Sequence, residues 1–365
     1  MSLKTLVVDD SVVFRKSVRD AIDDIYGLDV IDIARDGNSA VEKICRLQPD
    51  FVTLDIEMPG MNGFEVLQTI RDRGFEGHVV VVSGVNQSSV ELTSRSLTLG
   101  ALGFIVKPDH DDPQENLISL RMRLRHAIAG IDRWAHPTPA PHAIALAPAD
   151  QTAPIKIDSI GSKPSRSCAA VLIGISTGGP KALAKLIPAI PSDFPAPIII
   201  VQHMPAMFTA SMAQHLNESS ALDVVEAVDG MAVKAGQVVI APGGKHLELS
   251  DGKSHLVAHV TDDAPVRGCK PSVDKLFQSI PASIARQTLG IIMTGMGDDG
   301  TAGCRYLSQH GGTVWAQDAA SCTVYGMPKR VVESGNCNAT VALDDLAKCV
   351  ADYAAGSTSR CGASS

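Results

Sequence analysis

Residues 169–179 read Ala-Ala-Val-Leu-Ile-Gly-Ile-Ser-Thr-Gly-Gly, an apolar run that passes directly into a polar, glycine-rich turn. Such a run is typical of a buried strand in a parallel sheet, with a helix to follow. Ser176 then lies at the carboxyl end of the strand, where flanking glycines leave a hydroxyl with little steric cover. Turns of this composition also act as plain tight turns or phosphate cradles, so the stretch alone predicts a strand, a turn and a helix but no chemistry.

Length and composition indicate the number of domains and the fold class of the whole chain. A chain of 365 residues exceeds one ordinary core, which favours two domains. Hydrophobic residues make up 45% and aromatic residues only 4% of the sequence, as expected for the aliphatic interior of an α/β protein. The net charge of −8, without a basic stripe, argues against a nucleic-acid-binding surface.

Cysteine usage and hydropathy indicate the compartment. The eight cysteines form no CxxC pair, and the amino terminus lacks a charged-then-apolar signal segment. No apolar run approaches the roughly 20 residues that span a bilayer. We therefore expect a cytoplasmic protein without membrane insertion.

The first part of the chain repeats a strand–helix pattern. Helical patterns such as Phe14–Ile25 and Ser39–Leu47 separate short apolar runs, which predicts a doubly wound parallel sheet. The predicted strands are Leu3–Val8, Val30–Ala34, Phe51–Leu54, Val79–Ser83 and Phe104–Val106.

Polar side chains follow four of these strands: Asp9 and Asp10, Asp55, Ser83 and Lys107. They should converge because the carboxyl ends of parallel strands share one edge. Three crowded carboxylates raise one another's pKa unless a cation relieves them, and Mg²⁺ is the natural oxygen-ligated partner. A lysine and a hydroxyl beside them suit the oxygens of a phosphoryl group. The two adjacent aspartates alone could equally cap a helix.

The strand-end residues belong to a set of motifs made of Asp9-Asp10, the run from Leu54 to Gly63, Ser83 and Lys107-Pro108. With these motifs, residues 1–127 resemble a two-component receiver domain, which has a flavodoxin-like fold. The resemblance implies that Asp55 accepts phosphate from a histidine kinase. It also implies that Mg²⁺ is held by Asp9, Asp10, Asp55 and the backbone carbonyl of Glu57.

Three further receiver roles follow from the same resemblance. Ser83 and Lys107 would contact the phosphoryl oxygens, and Phe104 would occupy the switch-aromatic position. Many receivers carry threonine where this chain has Ser83, a change that keeps a hydroxyl for phosphoryl binding.

Residues 128–167 are rich in proline and alanine and have few large apolar side chains. Such a segment buries too little surface to offset chain entropy, which predicts a linker between the two domains. The Gly/Ser/Ala-rich residues 355–365 are predicted to be a flexible tail.

Residues 168–354 again alternate strands and helices, which predicts a second doubly wound, Rossmann-like domain. Alternating apolar residues on both sides of Ser250-Asp251-Gly252-Lys253 predict a β-hairpin within Lys245–Val260. The predicted helices include Leu183–Ile190 and Met207–Leu216, and the predicted strands are Ala169–Ile175, Pro197–Gln202, Gln237–Ala241 and Leu289–Thr294.

Three strand ends of this domain carry Ser176, His203 and Asp299. A serine hydroxyl is a weak nucleophile until an imidazole takes its proton, and a carboxylate then orients the imidazole and stabilises its charge. The glycine-rich turns at Gly295–Gly297 and after Ser176 could supply N–H donors to an oxyanion. Individually, His203 could be a satisfied edge histidine and Asp299 an ordinary turn residue.

Two other site types fit this pattern less well. A dinucleotide site needs a glycine where Ser176 stands, because the backbone must approach the pyrophosphate closely. The α/β-hydrolase elbow matches Gly174–Gly178, but that fold orders its triad serine, acid, histidine. Such a hydrolase would have to recruit His310 together with Asp262 or Asp263.

Six further motifs of this domain form a recognisable set. They are Gly174-Ile175-Ser176-Thr177-Gly178-Gly179-Pro180, Gln202-His203-Met204-Pro205, Ala241-Pro242-Gly243-Gly244, Pro271-Ser272-Val273-Asp274, the run from Thr294 to Gly300, and Tyr325-Gly326-Met327-Pro328. With these motifs, residues 168–354 resemble the catalytic domain of the chemotaxis protein-glutamate methylesterases. The resemblance implies that Ser176 is the nucleophile, His203 the general base and Asp299 its orienter. It also implies that the Met296 N–H serves the oxyanion and that Thr177 lines the site.

The two resemblances together imply a phosphorylation-activated hydrolase of chemotaxis. It would remove methyl groups from glutamate γ-methyl esters of methyl-accepting chemoreceptors and deamidate receptor glutamines, with no cofactor in the esterase domain. Two alternatives stay open at this point: a receiver-controlled binding protein without catalysis, and an esterase-like protein of a signalling pathway other than motility.

Overall fold

The computed structural model describes residues 2–128, 168–253 and 255–356. Its first sheet has five parallel strands in the order β2-β1-β3-β4-β5. The strands are β1 (Leu3–Val8), β2 (Leu28–Ala34), β3 (Phe51–Asp55), β4 (His78–Ser83) and β5 (Gly103–Val106).

Five helices alternate with these strands. Several begin at a polar cap: Asp36 accepts a hydrogen bond from the Ser39 N–H at 2.8 Å, and Asn62 and Glu65 form a reciprocal capping box. The helices are α1 (Val12–Asp23), α2 (Gly37–Leu47), α3 (Gly63–Asp72), α4 (Gln87–Thr98) and α5 (Pro113–Ile128).

The second sheet has seven strands, all parallel, in the order β15-β14-β13-β6-β7-β10-β8. The chain first builds outward from β6 through β7 and later returns to the other side of β6 with β13. This reversal beside β6 is where open α/β sheets bind ligands. The strands are β6 (Ala170–Ile175), β7 (Ile198–Gln202), β8 (Asp223–Glu226), β10 (Gln237–Ile240), β13 (Thr288–Ile292), β14 (Thr313–Gln317) and β15 (Ala339–Val341).

The helices of this second unit flank the sheet, and a short 3₁₀ helix at Ile187–Ala189 follows the first of them. They are α6 (Gly179–Leu186), α7 (Ala206–Ser219), α8 (Val273–Ser279), α9 (Ala282–Ala285), α10 (Thr301–Gln309), α11 (Met327–Glu333) and α12 (Leu343–Ala354).

The predicted hairpin is present and belongs to a third, antiparallel sheet. Strand β11 (His246–Asp251) pairs with β12 (Leu256–Thr261), and β12 pairs in turn with the short β9 (Ala232–Val233). The α/β fold class with two parallel sheets and a hairpin is therefore confirmed. The third strand of the small sheet was not predicted, nor were β8, β14 and β15 of the seven-stranded sheet. The domain boundaries stay a prediction, because the linker beyond Ile128 and the tail beyond Gly356 lie outside the described residues.

The two units pack against each other through one continuous apolar cluster. It contains Val90 and Leu97 of α4 together with Leu183 of α6 and Phe208 of α7. The rings of Phe104 on β5 and Phe208 have their centroids 4.3 Å apart. The first unit thus lies on the two helices that begin just after Ser176 and His203.

Candidate active site

Ser176 directly follows β6, and neighbouring strand ends hold its backbone on both sides. Its N–H donates to the Thr294 carbonyl at 3.0 Å, beyond β13. Its carbonyl accepts a hydrogen bond from Gln202 Nε2, at the end of β7, also at 3.0 Å. The half-buried Ser176 therefore has a fixed backbone at the reversal point of the sheet.

Glycine allows the Thr294–Gly295 strand end to approach Ser176 this closely. A Cβ added to Gly295 would lie 2.7 Å from the Cβ of Ser176, well inside van der Waals contact. Gly179 is equally constrained, because an added Cβ would lie 1.9 Å from Gln202 Oε1. These two glycines are required by close approach rather than by a left-handed backbone.

His203 directly follows β7, and its imidazole pairs with Asp299. Nε2 of His203 lies 2.8 Å from Asp299 Oδ2, and the His203 N–H donates to the Ile175 carbonyl at 3.1 Å. The carboxylate is nearly inaccessible, with 3% of its side chain exposed, whereas 16% of the imidazole is exposed. The base candidate therefore faces solvent on one side and a buried anion on the other.

Asp299 is fixed by the amino-terminal end of α8. Its Oδ1 accepts hydrogen bonds from Ser272 Oγ at 2.9 Å and from the Asp274 N–H at 3.0 Å, and its Oδ2 accepts one from the Val273 N–H at 2.8 Å. With His203, these donors occupy both carboxylate oxygens. Each of them favours the ionised form of Asp299.

The surroundings of His203 and Asp299 shift the pKa values of both groups. Burial disfavours a charged imidazole, but the hydrogen bond that His203 donates to Asp299 and the contact with Cys269 raise the pKa of His203 to about 9. Burial likewise opposes ionisation of Asp299, but His203 and the backbone donors of α8 hold the pKa of that carboxyl below its usual value. The carboxylate therefore stabilises an imidazolium, as a proton-accepting histidine requires.

The remaining predicted esterase residues lie around this pair. Thr177 is half-buried beside Ser176, and its carbonyl accepts a hydrogen bond from Thr294 Oγ1 at 2.9 Å. Met296 is half-buried in the turn that leads from Gly295 to Asp299. Asp298 instead faces outward and pairs with Arg267.

Sequence reasoning assigned no role to three residues that touch this centre. Gln202 donates through one amide nitrogen to the carbonyls of both Ser176 and His203, and Ser272 bonds to Asp299. Cys269 has its sulfur within 4.8 Å of ligand atoms of His203 and Asp299. Gln202 and Ser272 belong to motifs of the methylesterase resemblance, and that membership could have pointed to a role for them. Cys269 belongs to none of these motifs and lies far from His203 and Asp299 in sequence.

A second polar centre lies at the carboxyl edge of the five-stranded sheet. The structure brings together the carboxylates of Asp9, Asp10 and Asp55, with one oxygen of each within 4.8 Å of the others. Lys107 Nζ lies 2.8 Å from Asp55 Oδ2 and 3.0 Å from Asp9 Oδ2. The Glu57 N–H donates to Asp55 Oδ1 at 3.2 Å, so its backbone also adjoins the cluster.

The electrostatics of this centre fit a divalent cation. Burial and the negative charge of Asp9 raise the pKa of Asp55 to about 7, although Lys107 opposes this rise. A hard cation held by the three carboxylates would relieve that repulsion, and carboxylate oxygens are the ligands that Mg²⁺ prefers.

Ser83 and Phe104 lie near this centre but make other contacts. The buried Ser83 hydroxyl donates to the Gly84 carbonyl at 3.0 Å and accepts a hydrogen bond from Thr93 Oγ1 at 2.8 Å. Phe104 packs on Phe208 of the second unit. In this conformation Ser83 contacts α4, and Phe104 lies at the interface between the two units.

Comparison with known proteins matches both parts of the chain. The CheB methylesterase family model matches residues 171–350, and the response regulator receiver domain model matches residues 5–118. A protein-glutamate methylesterase/protein-glutamine glutaminase of Desulfotalea psychrophila is 39% identical over 357 residues, covering 95% of this chain and 97% of that protein. A Myxococcus xanthus protein of the same name, numbered 5, is 40% identical over 338 residues, covering 91% and 92%.

The solved catalytic domain of Thermotoga maritima CheB methylesterase is also similar. It is 40% identical, has a TM-score of 0.50, and the match covers 51% of this chain and 99% of that domain. Among the residues that the structure describes, no helix combines the length and apolarity needed to cross a bilayer.

Proposed function

The chain belongs to the CheB family of protein-glutamate methylesterases with a receiver domain, and we propose that it hydrolyses glutamate γ-methyl esters of methyl-accepting chemoreceptors in the cytoplasm. Receptor glutamines would be deamidated at the same site. The observation that carries the proposal is the hydrogen-bonded His203–Asp299 pair at the end of β7, the strand that pairs with the one Ser176 follows.

In the proposed reaction, Ser176 Oγ attacks the ester carbonyl and its proton passes to His203. Since Nε2 is bonded to Asp299, the ring nitrogen that takes this proton is Nδ1, the reverse of the arrangement in the serine-protease template. The C–O bond to the methoxy group then breaks, and methanol leaves with the proton. Water attacks the acyl-enzyme in the same way and releases glutamate; with glutamine as substrate, ammonia is the first leaving group.

The tetrahedral intermediates need N–H donors aimed at the developing oxyanion. The Met296 N–H, in the turn between Gly295 and Asp299, is the proposed donor, and Thr177 lines the same side of the site. Substitution of one such donor costs about 10²–10³-fold in kcat in a well-studied serine hydrolase.

The variant Ser176→Ala tests the nucleophile directly. Methanol release from methylated receptor membranes should fall by about 10³-fold or more, because no acyl-enzyme forms. Ser283→Ala, at an exposed position of α9, is the matched control and should release methanol at the wild-type rate. Undiminished release by Ser176→Ala would refute the assignment.

The receiver is proposed to control this site through phosphorylation of Asp55 by a histidine kinase. Asp9, Asp10, Asp55 and the Glu57 carbonyl would hold Mg²⁺, which when bound offsets phosphoryl charge. Lys107, now paired with Asp55, would turn to the phosphoryl oxygens, and Ser83 would reach them by releasing Thr93.

The packing of the two units supports such control. The receiver lies on α6 and α7, whose first residues follow Ser176 and His203 closely in sequence. A phosphorylated form that packs less well on these helices would expose the site to receptor substrate, since a ligand shifts an equilibrium toward the state it favours.

A further inference from the structure

Cys269 introduces a sulfur into the proposed esterase site. Its Sγ, one imidazole nitrogen of His203 and one carboxylate oxygen of Asp299 all lie within 4.8 Å of one another. The three residues come from separate segments of the chain, so their meeting is a product of the fold. Asp299 is buried, and His203 and Cys269 are half-buried at the mouth of the site.

A thiolate, an imidazole and a carboxylate together form a typical ligand set for Zn²⁺. Zinc accepts sulfur, nitrogen and oxygen ligands at about 2.0–2.3 Å in tetrahedral geometry, and three protein ligands leave the fourth position open. Mg²⁺, by contrast, prefers an all-oxygen set. The two polar centres of this chain therefore differ in the cation they suit.

We propose that Cys269, His203 and Asp299 bind Zn²⁺, and that bound Zn²⁺ turns off the hydrolase. The inhibitory part rests on the proposed function, because an imidazole that binds the ion through Nε2 carries its proton on Nδ1 and has no lone pair left for the Ser176 proton. The binding part stands independently of it. Binding releases the thiol proton of Cys269 to solvent, the imidazole proton moves from Nε2 to Nδ1, and the His203–Asp299 hydrogen bond opens to admit the ion.

The backbone around Cys269 holds the thiol in place. Val266 and Cys269 exchange two backbone hydrogen bonds, of 3.0 and 2.9 Å, across the two-residue turn Arg267-Gly268. Both turn residues have positive φ, 49° and 81°, as a tight hairpin turn requires. On the opposite side, Asp299 is anchored by α8, so two of the three ligands are fixed before an ion arrives.

Cobalt titration of the full-length protein tests the binding. Co²⁺ takes the same ligands as Zn²⁺ and shows a sulfur-to-metal charge-transfer absorption only when a thiolate is bound. Saturating Mg²⁺ keeps Co²⁺ from the carboxylates of the receiver. We expect one equivalent of this absorption in the wild type, its loss on addition of Zn²⁺, and its absence in Cys269→Ser and Cys269→Ala.

The matched control is Cys45→Ser, which changes a half-buried thiol on α2 of the receiver. This variant should keep the full absorption. A wild-type protein without the band, or a band that survives in both Cys269 variants, would overturn the proposal. Circular dichroism melting of each variant verifies that it is folded.

Inhibition is measured separately, as the Zn²⁺ concentration that halves each variant's own metal-free rate of methanol release. That concentration should be at least about ten-fold higher for Cys269→Ser than for the wild type or Cys45→Ser, because a direct ligand is lost. Equal sensitivity would refute the inhibitory role. If Ser176 proves not to be the nucleophile, the cobalt result still decides the binding site.

Discussion

At the scale of single residues, the position of the His203 imidazole depends on groups that never touch substrate. Asp299 orients the imidazole, and Ser272 with two backbone N–H groups of α8 orients Asp299. Ser272 also caps α8 by accepting a hydrogen bond from the Lys275 N–H at 3.4 Å. The Ser272 hydroxyl therefore caps α8 and also helps to hold the carboxylate that orients His203.

Ser272→Ala should separate these two contributions. Loss of the cap and of a buried hydrogen bond should lower the free energy of unfolding by about 1–2 kcal/mol. A less well oriented Asp299 should also lower kcat, by about ten-fold, with KM unchanged, because the loss falls on the proton transfer. Urea unfolding and steady-state methanol release measure the two effects.

Asp36→Ala is the control for Ser272→Ala, since it removes the cap of α2 in the receiver. It should cost similar stability and leave kcat near the wild-type value. Equal kcat in both variants would show that Ser272 acts only as a cap.

Asp55→Asn should abolish activation by phosphorylation. Wild-type methanol release should rise on addition of Mg²⁺ and a small phosphodonor such as acetyl phosphate, whereas the variant has no carboxylate to accept the phosphoryl group. Asp72→Asn, at an exposed site at the end of α3, should respond like the wild type. Stimulation that persists in Asp55→Asn would exclude Asp55 as the acceptor.

At the scale of elements, the spacing between β7 and α6 sets the position of Ser176. Gly179 opens α6 against the buried Gln202, whose amide nitrogen bonds to the carbonyls of Ser176 and His203. Any side chain at Gly179 must displace that amide.

Gly179→Ala should therefore destabilise the protein although alanine favours helix formation. A Cβ 1.9 Å from Gln202 Oε1 forces the side chain to move, and overpacking of this kind costs about 1–3 kcal/mol. Esterase activity should fall with it, because Ser176 loses a backbone partner. Gly103→Ala, where the added Cβ meets no atom within 4 Å, should change stability by less than about 0.5 kcal/mol.

The sequence predicted the long apolar strands and the strand-end residues better than the short strands. Runs such as Ala170–Ile175 are apolar throughout, because parallel strands are buried on both faces. Strands β9 and β15 have two and three residues, too few for a period to be visible. Contacts between distant segments, such as that of Cys269 with His203, depend on loop paths that local patterns do not encode.

At the scale of the whole molecule, the receiver packs on the esterase unit through α6 and α7. Phe104 contacts Phe208 on α7, and an added Cβ at Gly100 would lie 3.1 Å from the Lys181 side chain on α6. Both Phe104 and Gly100 lie in the part of the receiver that follows α4.

Phe104→Ala should raise the basal rate of methanol release in the unphosphorylated protein and reduce the additional stimulation by a phosphodonor. The variant loses the ring contact with Phe208 and so weakens the closed arrangement, in which the receiver packs on α6 and α7. Ile118→Ala, at a position of α5 that is 54% exposed, is the control and should leave both rates unchanged. A basal rate unaltered by Phe104→Ala would argue against steric control by the receiver.

The continuous apolar cluster shared by the two units has a thermal consequence. Any separation of the receiver from α6 and α7 exposes side chains such as Leu97, Leu183 and Phe208 to water. Exposure of apolar surface gives the separated state a higher heat capacity than the packed state. The closed arrangement must then weaken on cooling, since the hydrophobic contribution fades at low temperature. We therefore expect the ratio of the basal to the fully activated rate of methanol release to be higher at low temperature than at moderate temperature.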